Sequence, residues 1–193
     1  MLFIDTETTG LPKNRNSNGL ETKGNWPDIV SVSWAIVKDG VKQPTKYFVV
    51  SPEDWTIPDD STRIHGITME DAFENGVTLA DVMTYLSQDL KKVNTVVAHN
   101  LEFDKNVLFN AYKWRLGVNP WPFWPAEEIC TMKLAEPELK LPSKFADSKR
   151  FKSPTLGELY EATFSREPPT GLHNSQQDVE VLIEIFKARW LGK

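Results

Sequence analysis

Four acidic residues and one histidine carry the chemistry that this chain could do. "FIDTETTG", residues 3 to 10, sets Asp5 and Glu7 behind the apolar run Leu2, Phe3 and Ile4. A strand alternates its side chains with period two, so both carboxylates face one side. Like charges held that close repel unless a cation lies between them, and hard divalent cations take carboxylate oxygens. The other reading is a solvated strand end, where Asp and Thr are ordinary turn residues. "VVAHNLEFDKNVLFN" places Asp104 in the first turns of a helix. A carboxylate there also compensates the helix dipole without further purpose, and His99 and Asn100 read equally as a turn and a cap. "GLHNSQQDVEVLIEIF" sets His173 five residues before Asp178, at the entrance of the last helix. Such a histidine is either structural or a proton acceptor suited to neutral pH.

Taken together, four acids and a histidine fit hydrolysis assisted by two metal ions. The acids cage the ions, a water loses its proton to the histidine, and the leaving oxygen is stabilised. Phosphodiesters suit such a site because cations offset the phosphate charge. The sequence contains no G-x-x-x-x-G-K loop, no H-E-x-x-H and no serine nucleophile elbow.

The elements that must position these residues follow from pattern. Leu2–Asp5 reads as a first strand, and the polar stretch 12–28 as a long loop. Ile29–Val37 is a β-branched second strand, "KDG" at 38–40 a hairpin turn, and Lys46–Val50 a third strand. Leu79, Val82, Met83 and Leu86 recur at helical spacing, Thr95–Ala98 is a short strand, and Phe103, Val107, Leu108 and Ala111 form a second helical stripe. "NPWPFWP", 119–125, has too many prolines for a helix interior. Glu128–Met132 reads as a last strand and 135–154 as a loop. Thr155 and Glu158 form a capping-box pattern. Val179, Leu182, Ile183 and Phe186 mark the final helix. Strands first, then alternating helices and strands, predict an α/β fold with a mixed sheet in one domain spanning 1–193.

Bulk properties fit this picture. The 193 residues are enough for one sizeable core, and 25% charged with 40% hydrophobic residues is ordinary for a globular protein. A net charge of −5 argues against binding nucleic acid by charge alone, but not against holding phosphates through metals. The one cysteine, Cys130, excludes an internal disulfide and a cysteine zinc cluster, and fits a reducing cytoplasmic compartment. No basic and apolar leader opens the chain, and no stretch approaches the roughly 20 apolar residues of a membrane span.

"FIDTETTG", "AHNLEFDKNVL" and "HNSQQDVEVL", in this order, resemble the three motifs of the DEDDh, or DnaQ-like, 3′–5′ exonucleases, over residues 2 to about 187. The resemblance implies a ribonuclease-H-like fold, a five-stranded mixed sheet flanked by helices. It implies removal of nucleoside 5′-monophosphates from 3′ ends of single-stranded DNA or RNA with two Mg²⁺ or Mn²⁺ ions, on DNA by preference and with a DNA polymerase as a conceivable partner. An exoribonuclease or oligoribonuclease and a catalytically idle binding module are the competing readings. By position, Asp5, Glu7, Asp104 and Asp178 match the metal ligands and His173 the general base. Asn174 stands where the sister class has a tyrosine. "IHGIT", 64–68, is a further family signature that sets His65 near the terminal nucleotide. Asp60 falls where some members have a substrate-contacting acid, and backbone groups around Thr8 and Thr9 with the Leu11 side chain would face the last base. Ser175 departs from the alanine more usual after His-Asn. The tryptophans of "NPWPFWP" either pack on the core or stack a base. Lys140, Lys144, Lys149, Arg150 and Lys152 either track a phosphate backbone or belong to a solvated loop.

Overall fold

The structure is a computed structural model, and it describes residues 1–143 and 151–191. The strands are β1 (Leu2–Thr8), β2 (Ile29–Lys38), β3 (Val41–Lys42), β4 (Lys46–Val49), β5 (Thr95–Ala98) and β6 (Glu127–Cys130). The helices are α1 (Asp59–His65), α2 (Met69–Asn75), α3 (Leu79–Leu90), α4 (Leu101–Asn110), α5 (Thr131–Leu139), α6 (Leu156–Phe164) and α7 (Ser175–Arg189), with a π turn over Ala111–Arg115 continuing α4. The sheet runs in the order β3-β2-β1-β5-β6, with β4 also pairing β2. β1 is antiparallel to β2 and parallel to β5, and β5 is parallel to β6, so the sheet is mixed.

The strand count is six rather than five for a local reason. Asp39 and Gly40 both take positive φ, as a tight hairpin turn demands, and β3 returns at once along β2. Pro44 cannot donate to the ladder, so pairing lapses and resumes as β4 on the same strand. β3 and β4 are two pieces of the one return strand that the sequence leads one to expect.

Two other differences stand out. α1 and α2 are not visible as periodic stripes. The last strand ends at Cys130, and α5 begins there and occupies the first part of the expected 135–154 loop, with Pro137 inside it. "NPWPFWP" packs on α4: Trp121 and Trp124 both meet Phe109 edge-on at 4.9 Å, and Phe123 meets Tyr112. Trp124 is buried and Trp121 is not, so this segment is mainly a core lid. Lys144, Lys149 and Arg150 lie outside the described residues. Lys152 is paired with Glu158, whose capping box with Thr155 opens α6 as the pattern indicates.

Helices cover both faces of the sheet. Leu2, Ile4, Val32, Trp34 and Val96 pack against α3 and α4. Phe3, Ala35, Val37 and Val97 pack against Val179, Leu182, Ile183 and Phe186 of α7. The first half of β1 is therefore buried on both sides. In its second half Thr6 and Thr8 stay buried while Asp5 and Glu7 are only partly so. Asp5 and Glu7 share the parity of Phe3, which directs them to the α7 face. Among the described residues no helix is long and apolar enough to cross a membrane.

Candidate active site

β1 outruns its parallel neighbour. Leu2 and Phe3 pair with Val96 and Val97, and then β5 ends at Ala98 and the chain turns into α4. Asn100 makes that turn in the left-handed conformation, φ 70°, so it is a backbone corner and not a side-chain cap. The edge of β1 beyond Phe3 is thus left open, and Asp104 closes it. Its Oδ1 accepts the backbone N–H of Thr6 at 3.0 Å and the Thr6 hydroxyl at 2.8 Å. Asp104 itself is 3% exposed.

Asp178 arrives from the other direction. It lies in the first turn of α7, whose N-terminus is capped by Asn174 accepting from the N–H groups of Gln176 and Gln177. His173 precedes the cap at φ 73°, a left-handed conformation rare outside glycine, and its backbone N–H donates to Asp178 Oδ2 at 3.2 Å. That strained corner returns the chain so that residues 173 and 178 meet. Ser175 sets the helix on the sheet. Its hydroxyl lies 3.1 Å from that of Ser31 and 2.9 Å from that of Ser33, and all three residues are fully buried. Ser33 is registered to Asp5 and Ser31 to Glu7. The serines therefore dock the α7 N-terminus directly over the two carboxylates.

As a result one oxygen each from Asp5, Glu7 and Asp178 falls within 4.8 Å of the others. Asp104 is not part of that trio, but its charge is felt there. Burial first, then Asp104, Asp178 and Glu7, push the Asp5 carboxyl well above its ordinary range. Burial, then Asp178 and Asp104, push Glu7 up to about 8. Burial raises Asp104 although the Thr6 hydrogen bonds oppose it, and burial raises Asp178 although the His173 backbone N–H opposes it. Among the described residues no lysine or arginine relieves these acids, and Asp178 Oδ1 is buried with no hydrogen-bond partner. Unrelieved acids with an orphaned oxygen fit divalent cations, which supply the missing positive charge.

The other candidates are placed as follows. His173 is exposed at the rim. His65 is 7% exposed; its Nδ1 accepts the N–H of Ile67, which puts its proton on Nε2, a buried donor with no partner among the described residues. His99 is structural: both ring nitrogens are engaged, with Thr131 Oγ1 and the Pro154 carbonyl, each at 3.0 Å. Asp60 is exposed and paired with Arg63 in α1, not with the acid cluster. Thr8 is buried and its hydroxyl donates to the Gly10 carbonyl. The Thr9 N–H donates to the Asp28 carbonyl, and the Thr9 hydroxyl oxygen accepts the Asp28 N–H. Leu11 is 67% exposed. Sequence reasoning missed Thr6, Ser31 and Ser33. It also missed Tyr47, which β4 places near Ser31, Glu7 and Asn174 and whose phenol is raised by burial first.

Comparison with known proteins accords with this geometry. Residues 2–186 match the RNase_T exonuclease family. The solved structure of exonuclease X in complex with 5′ overhanging duplex DNA is similar at 25% identity and TM-score 0.59, covering 97% of this chain and 92% of that one. Escherichia coli exonuclease I in complex with a dT13 oligonucleotide is similar at 16% identity and TM-score 0.71, covering 97% of this chain and 41% of that one. A moderately thermophilic exonuclease I from Methylocaldum szegediense gives 16% and 0.71, over 98% of this chain and 40% of that one. The chain thus spans about two fifths of the exonuclease I chains, and their likeness speaks to fold. No curated protein matches the sequence. With the family matched over nearly its whole length, the chain belongs to the RNase_T exonucleases of the DnaQ-like, ribonuclease-H-like superfamily.

Proposed function

We propose that this chain, acting as a single exonuclease domain, degrades DNA from the 3′ end with two divalent cations, Mg²⁺ or Mn²⁺, and releases nucleoside 5′-monophosphates. The observation that carries the reading is the trio of carboxylates within 4.8 Å, with no lysine or arginine among the described residues to relieve them and Asp178 Oδ1 left without a hydrogen-bond partner among those residues. Asp5, Glu7, Asp178 and, through its second oxygen, Asp104 would hold the cations. When bound, these offset the charge of the phosphodiester and favour the ionised form of a nearby water.

The chain's own groups do the rest. His173 takes the proton of the attacking water at a ring nitrogen, from a backbone corner that fixes it beside Asp178. His99 has both nitrogens engaged and His65 is buried, which leaves His173 as the histidine open to solvent. The Nε2–H of His65 donates to the terminal nucleotide, which would satisfy its unpaired donor. Exposed Leu11 offers an apolar surface to the last base. As water attacks phosphorus, the bond to the 3′ oxygen of the preceding nucleotide breaks and the shortened strand keeps a free 3′-hydroxyl.

The test is degradation of 5′-labelled and 3′-labelled single-stranded DNA and RNA, with Mg²⁺ and with EDTA. A 5′ label should yield a ladder of shortening strands, on DNA faster than on RNA. Full activity in EDTA, or in Asp5→Ala, would sink the metal mechanism. Immediate release of labelled mononucleotide from the 5′ label would reverse the polarity.

A further inference from the structure

The loop 12–28 is not a loose insertion. Gly19 N–H donates to Asn106 Oδ1 at 2.8 Å, and Trp114 Nε1–H donates to the Gly19 carbonyl at 3.0 Å. Both partners belong to the continuous segment of α4 and the π turn, which carries Asp104 near its start. The next residue, Arg115, holds the end of the loop. Its Nε–H and one Nη–H donate to the two carboxylate oxygens of Asp28 at 2.8 and 2.9 Å. Its other Nη–H donates to Asp54 Oδ1 at 2.5 Å. Arg115 stands in the π turn itself, where the Leu116 N–H reaches back five residues to the Ala111 carbonyl. Such turns inside helices are frequent at functional sites.

Asp28 in turn holds the first motif. The ladder between β1 and β2 shifts register between Glu7 and Thr8 and ends at the pair Thr8 and Ile29. One residue further, the Thr9 N–H donates to the Asp28 carbonyl at 3.0 Å, and the Thr9 hydroxyl oxygen accepts the Asp28 N–H at 3.1 Å. The Thr8 hydroxyl closes the turn on the Gly10 carbonyl at 2.8 Å. Leu11 follows, exposed and in none of the core clusters of the described residues. Its place is therefore set by the backbone of the turn, and that backbone is anchored on Asp28. The Arg115 and Asp28 side chains are 28% and 21% exposed, against 70% for Asp54, so the bond to Asp28 is the better sheltered. A planar guanidinium on a carboxylate by two parallel bonds fixes orientation as well as distance.

We propose that Arg115 is a positioning residue of the nuclease: through Asp28 it sets the turn Thr9–Leu11, and with it the surface that meets the terminal base. The inference rests on the exonuclease reading and on its contact between Leu11 and the last base. Arg115 touches no substrate in this scheme. Asp104 and Arg115 stand on one continuous helical segment, so the base-side turn is referred to the same rigid element that brings Asp104 to the acid cluster. Without the clamp the turn keeps only its backbone pair with Asp28, and Asp28 is tied to nothing beyond the sheet edge. Lysine cannot replace arginine here, because one ammonium does not grip both oxygens of Asp28 and reach Asp54 as well.

The experiment compares steady-state hydrolysis of two phosphodiesters in Mn²⁺. The p-nitrophenyl ester of thymidine 5′-monophosphate carries a base; bis(p-nitrophenyl) phosphate carries none. Arg115→Ala should raise KM for the thymidine ester roughly threefold to tenfold, what the burial of one or two CH₂ groups is worth, with kcat changed by less than about twofold. Hydrolysis of the baseless ester should not change. Arg115→Lys keeps the charge and the stem; it should melt close to the parent and still raise KM for the thymidine ester. In a Leu11→Ala background neither substitution should raise KM further, since the contact that they position is already gone. Unchanged KM in both variants, with the parent active, overturns the positioning role and leaves the exonuclease reading standing. An equal loss on both esters also overturns it, since the damage would then lie in the acid cluster, and so does a full additional rise in the Leu11→Ala background. A parent that cleaves neither ester nor an oligothymidine overturns the exonuclease reading and this inference with it.

Discussion

Asp104 Oδ1 takes the place of a missing strand, accepting both the N–H and the hydroxyl of Thr6, 98 residues earlier in the chain. This fixes one oxygen of Asp104, and its carboxyl lies close enough to Asp5 and Asp178 for like charges to raise both Asp5 and Asp104 itself. Thr6→Val keeps the shape but removes the hydroxyl. A hydrogen bond to a charged group is worth ~1.5–3 kcal/mol. The variant should therefore need more Mg²⁺ for half-maximal activity, with a modest fall in melting temperature. A metal titration unchanged from the parent would show that Asp104 is held well enough by the backbone alone.

The acid cluster gives a pH dependence of definite sign. Asp5 and Glu7 ionise in the folded metal-free protein at higher pH than in the unfolded chain, Glu7 near 8. A raised carboxyl binds its proton more tightly when folded, so the unfolded state holds fewer protons through that window and stability falls as pH rises. In EDTA the protein should lose melting temperature from about pH 4.5 to 8. Asp5→Asn should melt higher than the parent at pH 8 and by much less at pH 5, with about 2–4 °C for each kcal/mol relieved. Saturating Mg²⁺ should abolish the difference at pH 8. A variant that melts lower at pH 8 in EDTA would contradict the repulsion that motivates the metal reading.

Some of this was legible in the residues and some was not, for identifiable reasons. The β1 alternation, the Asp-Gly hairpin, the Thr155–Glu158 box and the α7 stripe are local signals, and each sits where the pattern puts it. α1 and α2 are seven residues each, too short for periodicity, and Ile64 and Phe73 expose apolar side chains that blur it further. The capping box of Thr68 with Asp71 was the available clue. Pro137 and the flanking lysines hide α5. Among the candidate site residues, Asp5 and Glu7 share a face by strand parity alone. What joins them to Asp104 and Asp178 is long-range: the open edge of β1 and the serines under α7, neither of which has a local signature.

Ser175 makes the second of those joints testable. Its hydroxyl bridges Ser31 and Ser33 in a site without water access. Ser175→Ala strands two buried hydroxyls, at a cost of ~1–3 kcal/mol. The triple variant Ser31→Ala/Ser33→Ala/Ser175→Ala removes all three partners together and should recover most of that stability. Denaturant midpoints of the single and triple variants decide it. Activity should follow the same order, because the serines position α7 and touch no substrate. A triple variant less stable than the single one would mean that the hydroxyls stabilise the fold individually.

Asp89 supplies the opposite pH sign within the same protein. It is 3% exposed at the end of α3. Burial would raise its carboxyl, but Lys46 and Lys92 at 2.6 and 2.7 Å and the Trp34 indole N–H at 2.8 Å outweigh that and hold it at about 2. These contacts join α3 to β2 and β4 beneath the stacked pair Trp34 and Phe48. A depressed carboxyl stabilises the fold above its unfolded value, about 3.9, and that contribution is lost as pH falls toward 2. Asp89→Asn leaves the two lysines and the indole without their charged acceptor. Breaking a buried pair from one side typically costs ~3–5 kcal/mol, and the exposed lysine ends place this one toward the lower figure. The variant should melt well below the parent at pH 7, and the gap should close as both are titrated from pH 4 to pH 2. Thermal melts across that range check both the size and the direction. A gap that persists unchanged at pH 2 would show that packing around the side chain, not its charge, carries the stability.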